Sequence, residues 1–364
     1  MEISGIDLFC GAGGLTHGLA LAGIKVAAGF DIDPACRFPY EKNNNAQFVL
    51  KDVADITGEE LLGLYPKGSI KLLAGCAPCQ PFSKYTQNRP KDERWGLLYH
   101  FARLISEVQP DLVTMENVPE LVKHSVYDDF KKLLKLDGYQ VSDSVVFCPN
   151  YGMAQTRKRL VLLASKTGNI ELLAPTHSAA NYRTVRDVIG HLPKLIAGGC
   201  DPVDPLHRTS KLSELNLERI KASKPGGTWK DWPLHLRAAC HTKESGKGYA
   251  SVYGRMEWDK PSPTMTTQCY GFGNGRFGHP EQHRAISYRE AAILQSFPDE
   301  YKFIQDNSRV ETGVLGRMIG NAVPVRLGEV VGLSIIKHVN ENMPKRMERA
   351  TRQRKSLQTE CSDY

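Results

Sequence analysis

The chain has 364 residues, enough for about two domains with cores of their own. Hydrophobic residues make up 41% and charged residues 24%, which excludes a disordered or fibrous class, and no apolar run approaches membrane-spanning length. The net charge of +7 is uneven: residues 1–165 carry 18 basic and 19 acidic side chains and 284–343 seven of each, whereas 166–283 carry 16 against 11 and 344–357 six against one. That pattern suits a neutral body with a separate polyanion-binding surface or, equally, a solvated basic loop region.

The chain opens on a strand, "MEISGIDLFC", without the basic and apolar regions of a signal peptide. Nine scattered cysteines, an odd number, read as reduced thiols in a cytoplasmic protein rather than a disulfide framework. Over residues 1–165, "GIDLF", "KVAAGF", "AQFVL", "IKLLAG", "PDLVTME", "YQVSDSVVF" and "RLVLLAS" read as strands separated by amphipathic segments, a doubly wound α/β pattern.

After the first strand, "DLFCGAGGLTHGL" places Gly11, Gly13 and Gly14 ahead of a helix, where backbone amides can approach a ligand. The dinucleotide fingerprint needs a glycine at position 16, and this is Thr16, so a nicotinamide cofactor is disfavoured. Asp31 closes the second strand, where it can accept from ribose hydroxyls, and Asp52 follows the third, in reach of an adenine amino group. An adenosyl ligand lacking a pyrophosphate, such as S-adenosylmethionine, fits this set; the alternative is that both acids merely cap the helices after their strands.

"GCAPCQPFS" has the C-x-x-C spacing of a redox couple or half a zinc site at Cys76 and Cys79, yet Pro78-Cys79-Gln80 also suits a single nucleophile. A structural zinc site needs about four ligands, and no second paired Cys/His spacing occurs, so no metal is expected. Residues 166–283 are rich in glycine and proline and hold seven of the eleven histidines, which indicates a smaller, loop-rich domain. Helical periodicity returns in "SYREAAILQSF" and "PVRLGEVVGLSIIKHV", so 284–343 rejoin the α/β body, and 344–364 read as a flexible basic tail.

The order glycine loop, Pro-Cys-Gln, Glu-Asn-Val ("MENVPE"), Gln-x-Arg-x-Arg ("QTRKR"), basic insert, "RAISYREAAILQSFPD" and "GNAVPV" resembles the DNA (cytosine-5)-methyltransferases of bacterial modification systems, from Ile6 to about Leu333. The resemblance implies a Rossmann-like methyltransferase domain with an inserted target-recognition domain at 166–283. It also implies S-adenosylmethionine as methyl donor, duplex DNA as substrate, a flipped cytosine, and a monomer with no membrane association, alongside a cognate restriction endonuclease. Cys79 becomes the nucleophile and Cys76 incidental. Thiolate addition at carbon 6 makes carbon 5 of cytosine an enamine able to attack a methyl sulfonium. A protonated Glu116 can meet the charge pushed onto N3, Arg157 can hold O2, and Arg159 can support Cys79 or Glu116.

Carried over position by position, the cofactor pocket comprises Phe9, Gly11, Gly14, Asp31, Ile32, Asp52, Val53, Pro78, Leu97, Asn321 and Val323. Ile32 stands where the family often has an aromatic stacking on adenine, and Trp95 separates Arg94 from the glycine that usually follows it. The polar stretch after Cys79 reads as a loop closing over the base, with Gln80, Ser83 and Arg94 as DNA contacts. In the insert, Arg255, Thr264, Thr266 and Arg276 are candidates for phosphate or base contacts, surface turns being the equal alternative. Two rival functions remain at this point. One is a tRNA methyltransferase on the same fold, disfavoured by "QCYGFGN" where that relative has Cys-Phe-Thr. The other is a catalytically silent DNA-binding protein.

Overall fold

The computed structural model describes residues 2–78, 96–244, 248, 250–305 and 311–360, with 343–360 as backbone alone. Seven described strands form one sheet: β1 (Ile3–Leu8), β2 (Lys25–Asp31), β3 (Gln47–Leu50), β4 (Ile70–Gly75), β5 (Leu112–Asn117), β6 (Gln140–Phe147) and β7 (Lys158–Ser165). They lie in the order β3-β2-β1-β4-β5-β7-β6. The first five run parallel and β7 runs antiparallel to both β5 and β6. Each falls on one of the seven runs read from the sequence; inner strands such as β1, β4 and β5 are covered on both faces and are largely apolar, whereas the edge strand β6 is mostly exposed and alternates with polar residues. Strand order reverses between β1 and β4, and in such sheets ligands bind beyond the carboxyl ends at that reversal.

Helices α1 (Gly14–Leu21), α2 (Arg37–Asn43), α3 (Gly58–Leu64), α4 (Gly96–Val108) and α5 (Ser125–Leu136) connect the strands. In α5, Val126, Tyr127, Phe130 and Leu134 are buried while Lys132 and Lys135 face solvent, the amphipathic spacing that holds a helix against a sheet.

Among its described residues the insert contains the short α-helices α6 (Val185–Ile189), α7 (Glu214–Ala222) and α8 (Ala239–Thr242) and single 3-10 turns such as Trp229–Asp231, joined by isolated bridges such as Arg255–Gly278. Ile220, Trp229, Trp232, Leu236 and Phe272 give it a small core of its own.

The return to the body begins at α9 (Tyr288–Leu294), whose start is a capping box: Glu290 N donates to Ser287 Oγ, and Ser287 N donates to Glu290 Oε2 at 2.6 Å. Arg284 donates from both Nη1 and Nη2 to the same carboxylate at 2.7 Å, fully buried. Then come α10 (Thr312–Asn321) and α11 (Val325–Glu360). Helix α11 carries straight on through the segment expected to be a flexible tail, a difference that the charge run concealed because Lys, Arg, Glu and Gln are also good helix formers. Contrary to the hydropathy reading, 312–342 is long and apolar enough to cross a membrane by length and composition; it is mostly buried inside the protein and is broken between α10 and α11.

Helix α11 packs on α1 through glycine. A Cβ on Gly18 would stand 2.3 Å from the Val325 carbonyl oxygen, and one on Gly14 would stand 2.3 Å from that of Val323.

Burial alone would raise Glu290, but the Arg284 hydrogen bonds and charge outweigh it and hold the carboxyl below its usual range. Removing the arginine therefore strands a buried charge. Arg284→Met is expected to lower unfolding free energy by about 3–5 kcal/mol at pH 7. The deficit should shrink as pH falls, because the unpaired Glu290 takes up a proton; urea titrations at pH 7 and pH 5 measure both effects.

Candidate active site

Phe9 and the glycine loop follow β1, Asp31 ends β2, Asp52 follows β3, Cys76 to Pro78 follow β4, and Glu116 lies near the end of β5. Adjacent parallel strands therefore bring these residues to one edge of the sheet. The loop is shaped by positive φ at Phe9 (60°), Gly11 (52°) and Gly13 (91°), the last two suiting glycine for want of a Cβ. Nothing lies within 4 Å of where a Gly11 Cβ would be, so that face of the loop is open.

Asp31 holds the loop as well as the end of β2: its Oδ2 accepts from Gly11 N at 2.8 Å and its Oδ1 from Asp33 N at 2.9 Å. Burial pushes its affinity for a proton up despite those bonds. Asp52 accepts from Ala54 N at 2.9 Å and caps the turn Val53–Asp55, as the alternative reading anticipated, while its side chain remains exposed. Beneath the loop, Thr16 Oγ1 donates to Asp7 Oδ2 at 2.7 Å, which explains why a hydroxyl residue stands where the dinucleotide fingerprint has glycine. Burial pushes Asp7 up to about 7.

Of the other expected cofactor residues, Ile32 is 67% exposed and presents an apolar surface beside Asp31. Pro78 and Asn321 are exposed, Leu97 is half-buried at the start of α4, and Val53 and Val323 are buried. Asp33, missed in the sequence, pairs with Arg317 of α10 at 2.6 Å.

The second half of the site gathers on Glu116. Arg159 Nε lies 2.8 Å from Oε1 as an ion pair that lacks hydrogen-bond alignment, so Oε1 has no hydrogen-bond donor among the described residues. Cys76 Sγ, expected to be incidental, donates to Oε2 at 2.8 Å.

Arg157, expected to hold the cytosine, is committed elsewhere. Its Nη1 donates to Met265 O at 2.9 Å and its Nη2 to Gly320 O at 3.2 Å, in a buried joint between insert and body. Burial, then the neighbouring Arg159 charge, lowers it to about 9. Arg159 rather than Arg157 is thus the arginine beside Glu116. Cys79, Gln80, Ser83 and Arg94 lie outside the described residues.

The family model for C-5 cytosine-specific DNA methylases matches residues 3–337. The chain belongs to that family. It is 55% identical over 333 residues to the type II methylase M.HgiDII of Herpetosiphon aurantiacus, covering 91% of this chain and 94% of that protein. It is 31% identical to the type II methyltransferase M1.HphI of Haemophilus parahaemolyticus, covering 93% of this chain and 87% of that one. Among solved structures, a candidate DNA modification methyltransferase encoded within an Escherichia coli prophage shares the fold, with a TM-score of 0.71 at 23% identity over 93% of this chain and 100% of that one. The chain is a DNA cytosine-5 methyltransferase.

The methylase's insert departs from the residue assignments made on sequence. Arg255 is 3% exposed, and its guanidinium donates to the carbonyls of Ile220, His279 and Gln282; it braces the insert and is withdrawn as a DNA contact. Burial lowers it to about 10. Arg276 is half-buried and donates to Gly227 O at 2.6 Å, again a brace. Thr264 Oγ1 donates to Thr156 O at 3.1 Å, tying the insert to the Gln-x-Arg-x-Arg segment, whereas Thr266 is exposed.

Gln155 opens the Gln-x-Arg-x-Arg segment and is buried. Its Nε2 donates to Leu294 O and Gln295 Oε1, and its Oε1 accepts from Met265 N. A glutamine at the mouth of an apolar strand was the available signal, since a buried amide must find partners.

These braces have a measurable consequence. Arg255→Ala should lower stability by several kcal/mol, because it leaves buried carbonyls without donors. DNA affinity, corrected for the folded fraction and measured against salt, should keep its slope; a slope reduced by about 0.9 would return Arg255 to the phosphate contacts.

Proposed function

We propose that this enzyme transfers the methyl group of S-adenosylmethionine to carbon 5 of a cytosine turned out of duplex DNA, through an adduct between Cys79 and carbon 6. The observation that carries the reading is the Glu116–Arg159 pair at the carboxyl end of β5, beside the segment that leads through Pro78 into Cys79.

The residues at the other half of the edge fit the cofactor. The open face of the glycine loop accepts a ligand backbone to backbone, exposed Ile32 offers apolar contact to a flat ring, and exposed Asp52 retains acceptor capacity for an amino group. Asp31, which accepts from Gly11 N, keeps acceptor capacity that would serve ribose hydroxyls. When bound, S-adenosylmethionine supplies an electrophilic methyl group.

The chain's own residues prepare the base to receive it. The Cys79 thiolate adds to carbon 6, and Glu116 donates at N3 to meet the charge that this places on the ring. Arg159 takes the part first given to Arg157 and steadies Glu116 and the O2 edge. Once carbon 5 is methylated, loss of its proton re-forms the double bond and expels the thiolate. The Glu116 side chain is itself buried, which strengthens its contacts relative to those in water.

Residues 166–283 would act as the target-recognition domain, with Thr266 at an exposed turn beside Gly320. The type II naming of the relatives supports a reading in which the enzyme modifies duplex DNA beside a companion restriction endonuclease; the monomeric state is carried by the family resemblance alone.

Labelled S-adenosylmethionine, offered with duplex DNA, single-stranded DNA or tRNA, should label duplex DNA; label on tRNA alone would overturn the substrate assignment. Cys79→Ser should abolish transfer while retaining cofactor binding. Asp31→Ala and Asp52→Ala should each weaken S-adenosylmethionine about tenfold to a hundredfold, the worth of a charge-assisted hydrogen bond. Calorimetry measures this directly, and unchanged affinity in both variants removes them from the pocket.

A further inference from the structure

Glu116 is the penultimate residue of β5, and its carboxyl plane turns about a terminal bond with a broad torsional preference, so a single contact does not fix how it faces a ligand. Arg159 meets Oε1 as an ion pair off the hydrogen-bond axis. The directional contact is on the other oxygen, from Cys76 Sγ at 2.8 Å.

Cys76 itself is held from both sides. Its backbone N donates to Leu8 O at 3.3 Å, on the neighbouring strand β1. One residue on, Asn117 Nδ2 donates to Ala77 O at 3.0 Å, binding this segment to the residue that follows Glu116. Before it, a Cβ on Gly75 would meet the Phe101 ring at 3.1 Å, so the turn out of β4 has little room to shift. The thiol and the carboxyl are therefore carried on two strand ends that are fastened to each other.

We infer that Cys76 is a positioning residue: its thiol fixes the plane of the Glu116 carboxyl that meets the target base. This rests on the role proposed above for Glu116. A thiol is a weak donor, but its contact is to the oxygen that Arg159 does not pair with, so the two together set how the carboxyl lies. The same contact explains why a second cysteine lies three residues before the nucleophile without any need for a metal or redox partner.

Single-turnover methyl transfer to unmethylated genomic DNA, with tritiated S-adenosylmethionine, tests this in Cys76→Ala, Cys76→Ser, Glu116→Gln and the Cys76→Ala/Glu116→Gln double variant. Thermal melting and cofactor binding establish that each is folded. Cys76→Ala should lower the maximal rate about tenfold at unchanged KM for DNA and cofactor, the loss of one oriented hydrogen bond in the transition state. Serine keeps a donor and should restore the rate to within about threefold of the parent. In the Glu116→Gln background the alanine substitution should have no further effect, because the two residues act as one unit. A wild-type rate in Cys76→Ala, a serine variant as slow as the alanine, or an equal loss in both backgrounds would each overturn the proposal. A Glu116→Gln enzyme that transfers at the parental rate would instead remove the role of Glu116, a failure visible without any Cys76 variant.

Discussion

The return segment can lie on α1 only because two glycines leave room for its carbonyls. At Gly14 and Gly18 the approach is so close that a methyl group would stand 2.3 Å from a backbone oxygen of Val323 or Val325, and backbone cannot rotate aside as a side chain can. That approach brings residues 320–323 over the glycine loop. Gly320 repeats the device on the outer side, where a Cβ would stand 2.3 Å from the backbone of Thr266 in the insert. Loop, return segment and insert are thus stacked by backbone contact, and the glycine loop and the insert share one support.

Polar groups buried in that stack specify how it closes. Arg157 takes the carbonyls of Met265 and Gly320, Gln155 takes Met265 N and Leu294 O, and Gln295 Nε2 donates to Ile319 O. The partners come from three parts of the chain, at Met265, Leu294 and Ile319–Gly320, so a shifted docking would leave several buried groups unpaired at once, at about 1–3 kcal/mol each. This is why an arginine beside the active site has a structural role. Arg157 and Arg159 are two residues apart at the mouth of β7, and alternation sends them to the same side of the strand. Pattern alone could not say which reaches Glu116 and which the joint behind it.

The fold was legible where burial follows from composition. All seven strands coincide with apolar runs, and α9 begins at the Ser287–Glu290 capping box that its sequence spells. Asp31 was legible on the same ground, since it stands at the end of β2 as its position after an apolar run implies. What sequence did not disclose is the difference between a charge on the surface and one inside. Arg255 and Arg276 contribute to the basic balance of the insert, yet both point into it and serve its backbone. The charge that remains outside is carried in part by Lys211, Lys224, Lys230 and Lys243, all exposed, so the basic surface survives with different carriers. Cys76 escaped for a related reason: C-x-x-C spacing invites a reading of the pair, whereas its contact is with a carboxyl forty residues away.

Capping and ligand binding, posed as alternatives for the acids, turn out to be compatible. An Asp at a strand end has two oxygens with several lone pairs, and one backbone amide leaves acceptor capacity over. Asp31 accepts one amide on each oxygen, from Gly11 and from Asp33, so the carboxylate that would take a ribose is also one that sets the glycine loop. Asp7 and Thr16 support the same loop from below, in a place too dry for an unshared charge, as the carboxyl pushed up to about 7 indicates. Loop shape and ligand acceptor are therefore one electrostatic unit: whatever draws on the Asp31 carboxylate also acts on the backbone that must meet the rest of the ligand.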